Sequence, residues 1–494
     1  MLFNSLQFLL FFPIVTIIYF LLPFRFRWLH LLIASCIFYM AFIPIYIVIL
    51  FATIIVDYIA GIMIENSKGK RRKLFLIASI VANVGVLAVF KYYNFFAANI
   101  DTLFSSMHIT TTSVPLLRIL LPIGLSFHTF QAMSYTIEVY RGNQKAERHF
   151  GIYALYVMFY PQLVAGPIER PQNVIHQFHE EKFFNYDNVV SGLRLMMWGM
   201  FKKVVIADRL TELTDPVFNN PHNYPAITLA LATVFFTFQI YCDFSGYSDI
   251  ALGTARVMGF KLMKNFNRPY SSKSISEFWS RWHISLSTWF RDYLYISLGG
   301  NRVSVPRWFF NLFFVFLVSG FWHGANWTFI VWGALHGVYL IAAILIEKAK
   351  VKLVGPSNTK TKSIFLNAVN ITVTFVLVSV AWVFFRANTV SDAIYIIKQL
   401  PYTVSDGFRI LKTRNAEFMN IWDINEFLTF KRLAFAFLLI FLLQLIEFAQ
   451  YKFNIVRMLY TKPVYVRWLT YYSIIYAIIT YGVFKNHQFI YFQF

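Results

Sequence analysis

The sequence is poor in charged residues, which make up only 14% of its 494 positions. Soluble domains usually carry about 25% charged residues. Hydrophobic residues account for 58% of the chain, and its mean hydropathy is +0.56. A water-soluble fold would leave much of this apolar surface exposed, whereas a bilayer takes up helices of roughly 20 apolar residues each. The composition therefore excludes a soluble globular domain and predicts a multi-spanning integral membrane protein.

Cysteine and the common metal and phosphate motifs are scarce as well. Cys36 and Cys242 lie in apolar stretches far apart in sequence, which argues against a disulfide framework or a thiolate metal site. The chain has no Gly-rich phosphate loop ending in Gly-Lys-Ser/Thr and no His-Glu-x-x-His motif. The pattern His176-x-x-His179-Glu180 lies in a loop of mixed charge without further ligands. We therefore expect no metal.

Acidic residues are few, with 23 Asp and Glu against 44 Lys and Arg, for a net charge of +21. Such an excess of positive charge is also found in nucleic-acid-binding proteins. Here the basic residues lie between apolar runs, where they determine topology and contact anionic lipid. Membrane lipid is therefore the expected partner, and nucleic acid is not.

Apolar runs recur along the whole chain and predict an all-α, polytopic helical bundle forming one membrane domain over residues 1–494. We expect about ten to twelve crossings plus re-entrant segments, because several runs are short. The first run has no preceding basic residue and no cleavage site of small residues, so we interpret it as a retained span. The candidate runs are 6–22, 28–42, 45–64, 74–96, 116–140, 151–164, 189–206, 226–251, 308–321, 327–346, 364–385, 433–450 and 468–484.

The charges of the loops predict an orientation. Residues 68–73, 261–273 and 348–362 are strongly basic and are placed in the cytoplasm, whereas residues 97–115 contain no Lys or Arg. The charge-balanced loop at 386–430 is placed outside the cytoplasm. Continuing the alternation puts the C-terminal tail, residues 486–494, on the extracytoplasmic side.

The block at 256–307 is rich in charge, Trp and Ser, yet it lies between membrane spans. Irregular polar backbone at membrane depth persists only where it is buried in protein or lines a wet cavity. We therefore expect a cavity within the bundle.

The most informative stretch is Phe321-Trp322-His323-Gly324, which places a histidine between two apolar runs. An ionisable group at that depth is costly and is a candidate functional residue. The alternative is a structural histidine that is hydrogen-bonded within the bundle. Gly320 and Gly324 favour function, because they would let a ligand approach the imidazole. His128 follows a similar apolar run and is expected to be structural.

A second stretch, residues 277–293, contains Arg281, His283 and several tryptophans. Its alternative interpretation is an amphipathic interfacial helix with an aromatic belt, which would account for most of the tryptophans. The role of His283 stays open on this pattern.

A third stretch, residues 239–249, contains Asp243, Ser245 and Asp249. Six residues of helix place the two carboxylates about 240° apart, so they form no acid/base pair unless Gly246 breaks the helix. We expect them to cap a helix, pair with Arg residues or shape the cavity.

Together, these three stretches resemble the membrane-bound O-acyltransferase family, most closely its bacterial branch of alginate and peptidoglycan O-acetyltransferases. The similarity extends nearly from end to end. The resemblance implies a helical bundle enclosing a funnel, with His323 as the catalytic residue and His283 as a second, supporting histidine. We expect the funnel to be lined by Asp243, Ser245, Asp249, Arg281, Trp322 and Asn326. The further matching segments are Met1-Leu2-Phe3-Asn4-Ser5, Phe11-Phe12-Pro13, Leu163-Val164-Ala165-Gly166-Pro167-Ile168 and Phe489-Ile490-Tyr491-Phe492-Gln493-Phe494.

The resemblance also implies a reaction, an acyl donor and partners. An acetyl group from cytoplasmic acetyl-CoA would cross the bacterial cytoplasmic membrane toward an alginate-like polymer or peptidoglycan. An extracytoplasmic partner of the Ser-Gly-Asn-His hydrolase-like type would complete transfer to the polysaccharide. The closing hexapeptide resembles the end of a small subunit in the related D-alanylation system, which makes Tyr491 a candidate acyl relay. Ser280 and Ser297 depart from the usual Arg and Pro, which bears on acyl-donor contacts.

Two other functions are compatible with the same chemistry. A transporter or flippase for a lipid-linked glycan would also need a wet cavity with intramembrane charges. The sequence shows neither two halves of matching hydropathy nor paired broken helices, which disfavours it. A member of the same family that acylates lipid or protein would use the same histidine with a different acceptor.

Overall fold

The computed structural model describes residues 1–109, 113–119, 121–164, 166–354, 364–413, 430–453, 455–484 and 489–490. Over these residues the protein is helical and contains no β-strand. The relay candidate Tyr491 lies outside the described residues, as do residues 414–429 of the predicted extracytoplasmic loop.

The helices follow one another along the chain through connections of very different length. The first half contains α1 Leu6–Leu21, α2 Phe24–Met40, α3 Tyr46–Asn66, α4 Gly69–Leu87, α5 Tyr93–Ser106, α6 Leu125–Arg141, α7 Phe150–Met158, α8 Tyr160–Leu163, α9 Pro171–Phe178, α10 Tyr186–Met200, α11 Asp208–Asn219 and α12 Ala226–Val257. The second half contains α13 Ile275–Arg281, α14 Ile284–Trp289, α15 Val305–His323, α16 Trp327–Val354, α17 Ile364–Arg386, α18 Val390–Gln399, α19 Thr403–Thr413, α20 Phe430–Phe453, α21 Ile455–Thr461 and α22 Val464–Tyr481. Within the described residues, the π-helical segments are Ala88–Tyr92, Phe201–Ala207 and Phe290–Tyr295, and the short 3₁₀ turns are Pro221–Asn223, Pro269–Ser271 and Leu400–Tyr402.

Seven helices in the described part of the chain are long and apolar enough to cross a membrane. They are Tyr46–Asn66, Gly69–Ser106, Ala226–Val257, Val305–His323, Trp327–Ala349, Ile364–Arg386 and Lys431–Phe453, and α1 is a shorter apolar helix. The expected all-α, multi-pass membrane architecture is confirmed. The count of ten to twelve crossings stays a prediction, because shorter helices also enter that count.

Other predicted runs form the interior of the bundle. The apolar run at 151–164 becomes α7 and α8, and every residue from Gly151 to Leu163 is buried. Residues 125–140 of the run at 116–140 form α6, most of which is buried as well. These sequences are apolar because they pack against other helices of the protein, and not because they face lipid.

The block at 256–307 folds into short helices joined by irregular backbone inside the bundle. Trp282 is 1% exposed and Trp289 is 7% exposed, and both belong to the buried core. The interpretation of this stretch as an interfacial aromatic belt is therefore wrong for these two tryptophans. Hydrogen bonds across the block, such as Asn267 N–H to the Arg281 carbonyl at 2.9 Å, satisfy its irregular backbone.

Helices α10 and α12 pack closely against each other through glycines. Glycines seven residues apart on each helix face each other, Gly192 against Gly253 and Gly199 against Gly246. A methyl group on Gly246 would lie 2.7 Å from the carbonyl oxygen of Gly199, and one on Gly253 would lie 2.6 Å from that of Gly192. Small residues allow this close approach of helices within membranes.

We expect Gly246→Ala and Gly253→Ala to destabilise the fold by about 1–3 kcal/mol each, because the added methyl group must push the helices apart. The measurement is the midpoint of thermal unfolding in detergent. Gly85→Ala on α4 is the matched control, because a methyl group there would meet nothing within 4 Å. Equal midpoints for all three variants would contradict the close packing of α10 on α12.

Candidate active site

His323 is the last residue of α15, and its side chain is 4% exposed. Gly320 packs against Gly333 and the Phe329 carbonyl, and Gly324 packs against the Phe329 ring. The two glycines therefore make room for α16, whereas the sequence had suggested that they admit a ligand to the imidazole. The Trp332 and Phe385 rings lie edge-on to the imidazole at centroid distances of 4.9 and 5.3 Å.

Lys91 holds the end of α15 in place. Its ammonium donates to the Trp322 carbonyl at 2.7 Å and to the His323 carbonyl at 3.0 Å. A cation at a helix C-terminus satisfies carbonyls that have no partner within the helix. The sequence analysis missed Lys91, although a lone lysine in the apolar run at 74–96 was a signal that could have identified it.

A small cavity of about 40 Å³ reaches the catalytic candidate. It is partly open to the surface and is lined by Lys91, Trp322, His323 and residues 121–127 with Val164. A volume of this size holds about one water molecule. His323 therefore lines a cavity that also contains the polar groups of Lys91 and Ser126, and aromatic rings pack against the imidazole.

His283 lies at the junction of α13 and α14 and is fully buried. Its backbone adopts the left-handed conformation with φ of 41°, which is costly for a residue with a Cβ and must be held by its surroundings. Asn265 supplies that support. Its carbonyl oxygen accepts from Ile284 N–H at 2.9 Å, and its side-chain oxygen accepts from the Ser285 hydroxyl at 2.6 Å. Sequence reasoning identified neither Asn265 nor Ser285.

Aromatic rings connect the surroundings of His283 to the end of α15. The Phe127 ring lies 6.1 Å from the His283 ring and 5.6 Å from the ring of Trp322, the residue before His323. A stack of Trp289, Phe130 and Trp322, with centroid distances of 3.9 and 5.0 Å, joins α14 to α15 and fixes this arrangement.

The carboxylates of the third stretch pair with two adjacent lysines. Helix α12 continues through Gly246, so Asp243 and Asp249 stay on different faces, as expected. Lys203 contacts Asp243 at 2.6 Å and Asp208 at 2.8 Å. The partners are lysines of the π-helical segment Phe201–Ala207 and not the arginines suggested by the sequence. The second lysine, Lys202, contacts Asp249 at 2.7 Å and the Ser245 hydroxyl at 2.9 Å.

A larger cavity of about 480 Å³, here called the basic cavity, lies between α10, α12, α20 and the segment at 264–268. Phe266 lines it, and the Phe266 ring centroid is 6.5 Å from that of His283. The basic cavity shares no lining residue with the small cavity at His323. Its charged lining residues are Lys202, Arg256, Lys264, Arg268, Asp249 and Glu447.

The remaining predicted residues have local structural contacts. Arg281 pairs with Glu277 at 2.6 Å, and Asn326 accepts from Thr328 N–H at the start of α16. Neither lines the basic cavity or the small cavity at His323. His128 is hydrogen-bonded to Thr53 at 2.6 Å in the core. His179 pairs with Glu147, and the described residues contain no group of three or more His, Cys, Asp or Glu that could hold a metal.

Comparison with known proteins decides the family. The sequence model of the membrane-bound O-acyltransferase family matches residues 148–387. A protein named as a probable alginate O-acetylase, from Pseudomonas aeruginosa, is 43% identical over 80% of this chain and 73% of its own length. The chain belongs to the membrane-bound O-acyltransferase family. It is therefore an acyltransferase.

Two further relatives extend the range of the family. The peptidoglycan O-acetyltransferase of Helicobacter pylori is 35% identical over 79% of this chain and 77% of its own length. The teichoic acid D-alanyltransferase of Streptococcus thermophilus is 32% identical over 44% of this chain and 56% of its own length. Family membership overrules the transporter alternative.

We expect Asn265→Ala to lower the rate of acyl transfer at saturating donor, roughly 10²-fold, because a small displacement of a positioned group costs this much. Ser285→Ala should act in the same direction. The control is Thr102→Ala, which removes an exposed hydroxyl bonded to the Ala98 carbonyl within α5. If Asn265→Ala and Thr102→Ala gave the same rate, the Asn265 contacts would not position the His283 segment for the reaction.

Proposed function

We propose that the protein is an O-acetyltransferase that uses His323 to move an acetyl group from acetyl-CoA toward an exopolysaccharide or peptidoglycan. The observation that carries the proposal is a pair of cavities that share no lining residue. One is basic and is lined by Phe266, whose ring centroid is 6.5 Å from that of His283, and the other is lined by His323. An acyl donor in the larger cavity would approach from the side of Phe266, whereas the smaller cavity brings water to His323.

The basic cavity fits a phosphorylated thioester. Four cations and two carboxylates line it, leaving an excess of positive charge. Coenzyme A carries a pyrophosphate and a further phosphate, which Arg and Lys bind with charge-assisted hydrogen bonds. Lys264 is exposed at the cavity rim, in the basic segment predicted to be cytoplasmic. This arrangement supports entry of acetyl-CoA from the cytoplasm.

The chemical step requires a base, because a hydroxyl is a weak nucleophile. Neutral His323 takes the proton from the acceptor hydroxyl as its oxygen attacks the acetyl carbonyl. The new carbon–oxygen bond forms, the carbon–sulfur bond breaks, and the leaving thiolate takes up the proton from the imidazolium. Lys91 holds the backbone at His323 and thereby orients the imidazole toward the cavity.

The acceptor side is assigned from resemblance and from the relatives. Tyr491 would receive the acetyl group first, on the extracytoplasmic side of the bacterial cytoplasmic membrane, and pass it to a Ser-Gly-Asn-His hydrolase-like partner. That partner would complete transfer to the polymer. The names of the relatives point to alginate or peptidoglycan, which disfavours lipid or protein as the final acceptor.

We expect His323→Ala to slow release of free CoA from acetyl-CoA by purified protein by about 10²–10⁴-fold, because the general base is lost. An unchanged thermal midpoint would show that the variant is folded. His176→Ala is the matched control, since that histidine is exposed and far along α9. Wild-type CoA release by His323→Ala would refute the proposed base.

We expect Arg256→Ala and Lys264→Ala each to raise KM for acetyl-CoA about tenfold, because each loses a charged hydrogen bond to phosphate. Neither change should affect KM for S-acetyl-pantetheine, which lacks the nucleotide phosphates. Lys261→Ala is the control, because Lys261 belongs to the same basic segment and does not line the basic cavity. Equal effects on KM for both donors would show that the nucleotide phosphates do not bind in this cavity.

A further inference from the structure

The C-terminal segment, here the described residues Phe489 and Ile490, lies in the core near His283. Phe489 is 0% exposed and Ile490 is 4% exposed, as buried as any residue of the spanning helices. The Phe489 ring stacks on Tyr247 at 4.6 Å and meets Phe244 at 5.6 Å. The Phe244 ring in turn lies edge-on to His283 at 4.6 Å. One ring thus separates this segment from the supporting histidine.

A single charged side chain holds the backbone of this segment. The Asp243 carboxylate accepts from Ile490 N–H at 2.8 Å with one oxygen and contacts Lys203 at 2.6 Å with the other. Lys203 also pairs with Asp208, so one buried cation faces two buried carboxylates. A buried carboxylate is costly unless all its oxygens are satisfied. Lys203 divides its contacts between two carboxylates, and the N–H of Ile490 gives Asp243 an additional hydrogen bond.

We propose that Asp243 is the anchor of the C-terminal segment and the positioning residue for the residue that follows Ile490, namely Tyr491. Tyr491 follows Ile490 directly in the sequence, so an anchor at Ile490 would limit how far Tyr491 can move. The catalytic part of this inference rests on the proposed relay. The anchoring rests on the hydrogen bond from Ile490 to Asp243 and on the burial of Phe489 and Ile490.

The segment is also held before Phe489. Val483 N–H donates to the Val204 carbonyl at 2.9 Å, and Val204 belongs to the π-helical segment that carries Lys203. A π-helical turn redirects backbone carbonyls away from the regular helical pattern and often marks a functional site. The same turn therefore receives the chain as it leaves α22 and supplies the lysine that orients Asp243.

Docking of the segment is measured directly by hydrogen–deuterium exchange of the C-terminal peptide in the full-length protein. Asp243→Ala should speed exchange at Ile490 about ten- to a hundredfold, which corresponds to the free energy of a hydrogen bond to a charged group. Asp208→Asn is the matched control, because Asp208 contacts the same lysine and not Ile490, and it should leave this exchange slow. Asp243→Asn keeps an accepting oxygen and should retain part of the protection. Fast exchange in the wild-type protein, or no change in Asp243→Ala, would overturn the anchor.

The positioning role is measured by acetyl transfer to the extracytoplasmic acceptor. Asp243→Ala and Ile490→Pro, which lacks the N–H, should each lower kcat about tenfold or more without changing KM for acetyl-CoA. Ile490→Val keeps the N–H and should behave as wild type. The double variant should lose no more than either single variant, because both remove the same bond. Additive losses, or a change in KM alone, would overturn the positioning role.

A tyrosine variant separates the anchor from the proposed relay. If Tyr491→Phe transfers acetyl groups as the wild type does, the relay fails, and the catalytic consequence of Asp243 fails with it. The exchange measurement does not depend on the donor or the relay, so slow exchange lost only in Asp243→Ala would still establish the anchor. If Tyr491→Phe is inactive while Asp243→Ala is fully active, the relay stands and the positioning role of Asp243 is refuted.

Discussion

The structure depends on one constraint, namely that polar groups inside a membrane bundle must be satisfied by the protein itself. Lys202 and Lys203 meet this constraint by pairing with carboxylates of α12 across the helix contact. If it were buried without a partner, each of these charges would destabilise the fold by more than the net stability of a typical domain. As neighbours they form a polar core that joins α10, α11 and α12, and both the basic cavity and the C-terminal segment are built around it.

The glycine contacts explain how the lysines reach their partners. Gly246 lies against the Gly199 carbonyl and the backbone N–H of Lys203, so the π-helical segment runs directly along α12. A larger residue at either glycine would move the lysines away from Asp243 and Asp249. The ion pairs therefore depend on the close packing of the helices. Dispersion contacts between the helices hold the lysines and carboxylates at ion-pair distance.

Much of the architecture could be predicted from the sequence, because an apolar run long enough to cross a bilayer is a strong indication of a membrane-spanning helix. His323 could also be singled out as a candidate, since ionisable residues in apolar surroundings are rare, whereas His283 was assigned a role only through the family resemblance. The helical pitch correctly separated Asp243 from Asp249. The catalytic roles of the two histidines stay predictions.

The rest required contacts between residues distant in sequence. Lys91 supports a helix end more than two hundred positions away, and Asn265 supports His283 through a backbone conformation that no periodicity reveals. The burial of Trp282 and Trp289 was missed because a tryptophan-rich segment looks the same in sequence at an interface and in a core. Gly320 and Gly324 were likewise interpreted as making room for a ligand, whereas α16 packs against them.

Both ends of the chain converge on α12 at Tyr247. Its hydroxyl accepts from Phe3 N–H at 3.2 Å, and its ring is stacked by Phe489. The entropic cost of bringing distant residues together grows only slowly with the length of chain between them, so contacts at this separation are not prohibitive. They fix α12 from both ends of the chain beside the helix contact with α10. The helix that carries Asp243, Phe244 and Asp249 is thus held by residues from several parts of the chain, as a site assembled from several helices requires of the element that they share.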